Sequence, residues 1–206
     1  QTEMEMAQRA NQIIEEGGSI IDVGAFSTRP GADEVSEEEE GRRLKFALDI
    51  VRREQPDAAV SVDTYRPTLA RKCIEEWGAD IINDVSEGGI TGIVNVPLEQ
   101  RQEEYPEMFR VVGELKVPYI LMSVQPTLET MMKGFAKEVQ QLRDLGAKDI
   151  ILDPGFCFGK NLIQNYQIYN EMEKLNVMEL PVLVGISRKT MIYKLLGGDA
   201  TTSLNG

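Results

Sequence analysis

The sequence predicts an α/β fold: a (β/α)8 TIM barrel lacking its first and last strands. Three observations lead there. Short runs rich in Ile and Val alternate with segments of helical period along the 206-residue chain, and near-continuous apolar strands imply a parallel sheet covered by helices. A doubly wound sheet would show a glycine fingerprint opening a helix after an early strand, and none is present. The polar residues instead fall at the C-terminal ends of the strands, where a barrel keeps its working groups. Six strands can be traced, two short of a closed barrel of about 250 residues. Residues 1–206 therefore read as a single domain, incomplete at both ends.

Each element has its own warrant. Residues 4–16 place Met6, Ala7, Ala10, Ile13 and Ile14 at helical spacing, and Gly17-Gly18 stops the helix. Residues 19–24 form a β-branched run that reads as a buried strand. A loop containing Gly and Pro runs from Ala25 to Val35, and Ser36 caps the next helix. Glu37, Glu38, Glu39 and Glu40 fill that helix's first turn, where the macrodipole favours negative charge, so they mark a helix start and not a metal cluster. Then come a strand at 58–63, a helix at 67–77 and a strand at 79–83. A longer connection with a helix near 98–115 leads to a strand at 119–123. A helix at 127–145, a strand at 149–153, a helix at 162–175, a strand at 181–186 and a helix at 188–196 complete the alternation. Gly17, Gly78 and Gly146 stand at helix ends, where a left-handed residue is least costly.

Composition bounds the chemistry. There are 34 Asp and Glu against 22 Lys and Arg, a net charge of -12, and no histidine. That excludes Ser-His and Cys-His pairs, an imidazole base, and His-containing zinc or iron sites within these residues. Cys73 and Cys157 cannot build a four-thiolate site or a disulfide framework, and they fit a reducing, cytoplasmic location. The acidic balance argues against nucleic acid as a partner. No stretch approaches the ~20 apolar residues of a membrane span, so no membrane partner is expected. The chain opens on Gln1, which together with the strand count points to a piece of a longer protein.

The strand ends hold Asp22; Ser61 and Asp63; Asn83 and Asp84; Met122 and Ser123; Asp153; and Ser187 with Lys189. In a barrel these groups converge on one mouth. One Asp alone is a turn former or a cap, but apolar strands that end repeatedly in Asp or Asn exceed what capping explains. Asp63 and Asp153 close apolar runs and are expected to be largely buried, so they need donors that a ligand bearing N–H groups can supply. A flat heterocycle with paired N–H groups meets a carboxylate through two parallel hydrogen bonds, and Asn83 both donates and accepts. By residue type alone, Lys160 reads as a surface cation and Trp77 as core or rim.

These residues resemble dihydropteroate synthase. The matching segments are Ile20-Ile21-Asp22-Val23-Gly24 with Ser27-Thr28-Arg29-Pro30-Gly31, Ser61-Val62-Asp63-Thr64, Ile82-Asn83-Asp84-Val85, Asp153-Pro154-Gly155-Phe156-Cys157-Phe158-Gly159-Lys160, and Gly185-Ile186-Ser187-Arg188-Lys189. They occur in that family's order and spacing over essentially the whole chain. The resemblance implies condensation of 7,8-dihydropterin-CH2-pyrophosphate with 4-aminobenzoate, giving 7,8-dihydropteroate and pyrophosphate in folate synthesis. It also implies that Asp63, Asn83, Asp153 and Lys189 hold the pterin between Val85 and Met122, with Asp63, Asp153 and Lys189 as the catalytic set. Thr28, Arg29 and Pro30 would belong to a loop closing over 4-aminobenzoate, which Phe158 and Ser187 line, with Asp22 near the base of that loop.

Mg²⁺ is the implied cofactor, its ligand expected N-terminal to Gln1, and the family's homodimer is the implied assembly. The pyrophosphate cations are expected beyond Gly206. Departures from the family pattern are Ser123 in place of a common His, Ala25-Phe26 in place of Gly-Glu, and Cys157 in place of Gly. The alternatives are a pterin-binding barrel that moves methyl groups from methyltetrahydrofolate to a corrinoid, and a non-catalytic pterin-binding paralogue. The loop at residues 27–31 argues against the methyltransferase.

Overall fold

A computed structural model describes residues 2–25, 35–88 and 105–203 of the protein. Local chemistry sets the element ends. Helix α1, Glu3–Glu15, opens on a capping box in which Thr2 accepts from the Glu5 amide and Glu5 accepts from the Thr2 amide. It closes where Gly17, at φ 93°, lets the Gly18 amide reach Ile13 at 2.8 Å. In α2, Glu37–Glu54, the Ser36 hydroxyl accepts from the Glu39 amide. Four glutamates occupy its first turn, and Arg52 and Arg53 its last. The remaining helices are α3 at Pro67–Glu75, α4 at Glu107–Leu115, α5 at Leu128–Asp144, α6 at Leu162–Glu171 and α7 at Thr190–Leu196, with a 3-10 helix at Met172–Met178.

Five parallel strands lie in the order β1 (Ile20–Gly24), β2 (Ala59–Asp63), β3 (Ile81–Asp84), β4 (Tyr119–Met122) and β5 (Ile150–Asp153). Because side chains alternate across a pleated strand, the register divides the sheet into two faces. Asp22 pairs with Ser61, Asp63 with Asn83, Asn83 with Ile120, and Met122 with Asp153, so these residues share the inner face. Ile21, Val23, Val60, Val62, Ile82, Leu121 and Leu152 point the other way and are buried under the helices. The helix-side core continues through Leu44, Leu48, Phe109, Phe135 and Leu142. This sheet, parallel throughout and covered by helices, is part of a (β/α)8 barrel.

Two predicted elements are corrected. The strand expected at 181–186 makes a single parallel bridge, Val182 to Leu152. The Leu152 amide donates to the Pro181 carbonyl and the Leu183 amide to the Leu152 carbonyl, each at 2.8 Å. Pro181 has no amide to donate, and Leu183 and Val184 stay exposed, so the ladder does not extend. The helix expected near 98–115 begins at Glu107, after Pro106, which has no N–H to continue an upstream helical turn; its portion up to residue 104 lies outside the described residues.

Candidate active site

The inner face carries the polar strand ends side by side. Asp22 accepts from the Ser61 hydroxyl and, at 3.3 Å to each oxygen, from the Asn83 amide group. Asp63 stands between them, level with Gly24 on one side and Asn83 on the other. A side chain at Gly24 would come to 3.5 Å from the Asp63 carboxylate, so the glycine leaves that group open. Burial, reinforced by the charges of Asp22, Asp84 and Glu40, pushes the Asp63 carboxyl up to about 7. Burial also raises Asp153; the Gly155 amide, which donates to its Oδ1 at 2.8 Å, opposes this, as do the charges of Lys189 and Lys160.

The turn that follows β5 is held by two lysines. Lys189 donates to the Phe156 carbonyl at 2.6 Å, and its ammonium lies 4.8 Å from the centre of the Phe158 ring. Lys160 donates to the carbonyls of Ser123 at 3.0 Å, Gly155 at 2.9 Å and Phe158 at 2.9 Å. Burial lowers Lys160 to about 8 despite the nearby carboxylates of Glu87 and Asp153. The turn itself closes through the Phe158 amide on the Gly155 carbonyl, with Cys157 at φ 68°. That left-handed backbone explains why glycine is the ordinary residue there. A side chain at Gly155 would approach the Ser123 carbonyl to 2.3 Å, so glycine lets β4 and the turn meet.

The structure thus brings Asp63, Asn83, Asp153, Lys189, Phe158 and Met122 to one mouth. Val85 follows β3 half-buried, and Ser187 is exposed beside Lys189. Thr28, Arg29 and Pro30 lie outside the described residues.

Asp84, expected at the same mouth, is on the opposite face. It is fully buried and accepts from the Ser86 amide and hydroxyl, the Gly88 amide and the Tyr119 hydroxyl. One residue along a strand reverses direction, so adjacent Asn83 and Asp84 cannot serve one pocket. Lys160, expected at the surface, is half-buried with its head group fully engaged. The tight turn between Gly155 and Gly159 was the available signal, since it curls the chain back onto β4.

Glu40, one of four glutamates in the first turn of α2, differs from its neighbours. It is buried, accepts from the Thr64 hydroxyl at 2.7 Å and pairs with Arg66 at 3.0 Å, while Arg66 also donates to the Val35 carbonyl at 2.6 Å. Its spacing to Leu44, Leu48 and Val51 marks it as belonging to the apolar stripe of α2.

Residues 2–204 match the family described as pterin binding enzyme. The dihydropteroate synthase of Escherichia coli K12 is 34% identical over 218 residues, covering 98% of this chain and 71% of that protein. The crystal structure of 7,8-dihydropteroate synthase from Vibrio fischeri superposes with a TM-score of 0.84 at 32% identity, covering 100% of this chain and 76% of the other. That of the Clostridium difficile enzyme, solved in the presence of pteroic acid, gives 0.83 at 29% identity, covering 97% and 73%.

Proposed function

The chain belongs to the dihydropteroate synthases of the pterin-binding enzyme family, and from that membership we propose how its own residues serve the reaction. In the proposed reaction a dihydropterin pyrophosphate condenses with 4-aminobenzoate: the arylamine nitrogen bonds to the pterin methylene as the methylene–oxygen bond to pyrophosphate breaks, and the proton lost by the amine passes to the departing pyrophosphate or to water. One observation carries the assignment of roles: Asp63, Asn83 and Asp153 share the inner face, with the Asp63 proton held to about 7. A carboxyl raised by burial regains its ionised form when a ligand supplies N–H donors. The ring N–H groups of the pterin are such donors, so Asp63 and Asp153 anchor the ring while Asn83 adds a donor and an acceptor. As positive charge develops on the methylene, the two carboxylates stabilise it at fixed distance. Phe158, stacked under the Lys189 ammonium, offers an apolar face to the incoming aromatic amine. No histidine is needed, because the step depends on orientation and charge more than on proton transfer.

Thr28, Arg29 and Pro30 are proposed to close over 4-aminobenzoate, with Ser187 beside it. Mg²⁺ remains the proposed counter-ion of pyrophosphate. Among the described residues no group of three or more Cys, Asp or Glu is placed to hold an ion. A cytoplasmic homodimer is proposed with this role, supported by the free thiols of Cys73 and Cys157 and by Leu195 and Leu196 exposed on α7. Among the described residues no helix is long and apolar enough to cross a membrane.

The test is Asp153→Asn in the full-length protein, with pteroic acid binding measured by calorimetry. Loss of a charged hydrogen bond should weaken binding by about 10- to 100-fold. Unchanged affinity would show the pocket to be elsewhere.

A further inference from the structure

We propose that Lys160 is a positioning residue: it locks the end of β4 to the turn after β5 and so sets the places of Asp153 and Phe158. The inference rests on the pocket assignment above. An ammonium has three N–H donors and no acceptor, and Lys160 spends all three on backbone carbonyls. It therefore has no proton to offer a substrate, which distinguishes it from a ligand-binding lysine.

What it holds is specific. Ser123 follows directly on Met122, the register partner of Asp153. The Gly155 carbonyl belongs to the residue whose amide fixes Asp153 Oδ1. The Phe158 carbonyl belongs to the residue whose ring faces Lys189. One cation thus ties together two strand ends and both substrate-facing groups of the turn. The three carbonyls alone would leave their negative ends facing one another across the gap between β4 and the turn. The charged groups facing Lys160 are Glu87 from the turn after β3, Asp153 at the end of β5 and Lys189 before α7, with the Cys157 thiol also near. Glu87 and Asp153 favour the ammonium, so the cation persists although burial opposes it.

The experiment uses the full-length protein with Lys160→Met, a near-isosteric chain without donors. The expected result is a rise in both the Kd for pteroic acid and the KM for 4-aminobenzoate, with kcat/KM falling on the order of 10²-fold, the cost of a misplacement of about 1 Å. Lys160→Gln, which keeps two N–H donors, should lie between Met and wild type, and it carries the same test if the Met variant does not fold. A lowered Tm with Kd and KM unchanged would overturn the proposal, since that is what a purely structural lysine gives. Asp153→Asn measured alongside separates the two readings. If it abolishes pteroic acid binding while Lys160→Met leaves Kd and KM alone, only the Lys160 role falls. If Asp153→Asn is silent, the pocket assignment falls first.

Discussion

Asp63→Asn is expected to raise the stability of the ligand-free protein while removing its affinity for the pterin. The wild-type carboxyl moves from 3.8 to about 7 on folding, with burial as the leading cause. At about 1.4 kcal/mol per tenfold change in proton affinity, ionising it in the native state costs about 4 kcal/mol. Asp63 is only half-buried, and water at the open mouth screens it, so about 2 kcal/mol is the working figure.

A carboxyl raised on folding stabilises the native state fully below its unfolded value, and this stabilisation is lost as pH rises to the folded value. The advantage of the neutral carboxamide should therefore open between pH 3.8 and about 7 and stay constant above. About 2 kcal/mol corresponds to a Tm higher by about 4–8 °C at pH 8 for a domain of this size. Thermal unfolding of both proteins at pH 5 and pH 8, paired with calorimetric titration of pteroic acid, checks both halves. A variant no more stable than wild type at pH 8 would refute burial as the cause of the shift. A variant that still binds pteroic acid with wild-type affinity would refute the role assigned to the carboxylate.

The other expectations are simpler. Arg66→Met strands the buried Glu40 carboxylate, whose proton affinity burial already raises. Urea unfolding at pH 7.5 should show a loss of about 3 kcal/mol, and the deficit should shrink as pH falls and Glu40 takes up a proton. Cys157→Gly should stabilise the turn by about 1 kcal/mol, because φ 68° disfavours any residue with a β-carbon; an unchanged or lower Tm would contradict this. Asp153→Asn and Lys160→Met, with the outcomes given above, complete the set.

Much of this was legible in the chain. The periodicity switch from strand to helix, the Ser36 cap and the glycine stops are local, and local chemistry decides them within a few residues. The polar strand ends were equally plain, since Asp63, Asn83 and Asp153 each close an apolar run at the C-terminal edge of the sheet, although which face each takes was not. Less was visible wherever an outcome needed two distant segments. Residues 181–186 have a strand's composition, yet Pro181 and the exposed edge leave only one bridge.

The sequence by itself determined the alternation, the parallel sheet and the residue types at its C-terminal edge, because these follow from side-chain period and backbone propensity. Tertiary structure alone decided which of those residues act together. Register put Asn83 on the inner face and its neighbour Asp84 under the helices, where the Tyr119 hydroxyl takes it up. The fold of one turn buried Lys160, and the stripe of α2 buried Glu40. Proton affinity belongs to the same class: Asp63 is an ordinary carboxylate in the sequence, and only desolvation beside Asp22, Asp84 and Glu40 moves its proton toward neutral pH. Charge proximity of this kind is a property of contacts between segments far apart in the chain, so no single segment carries it.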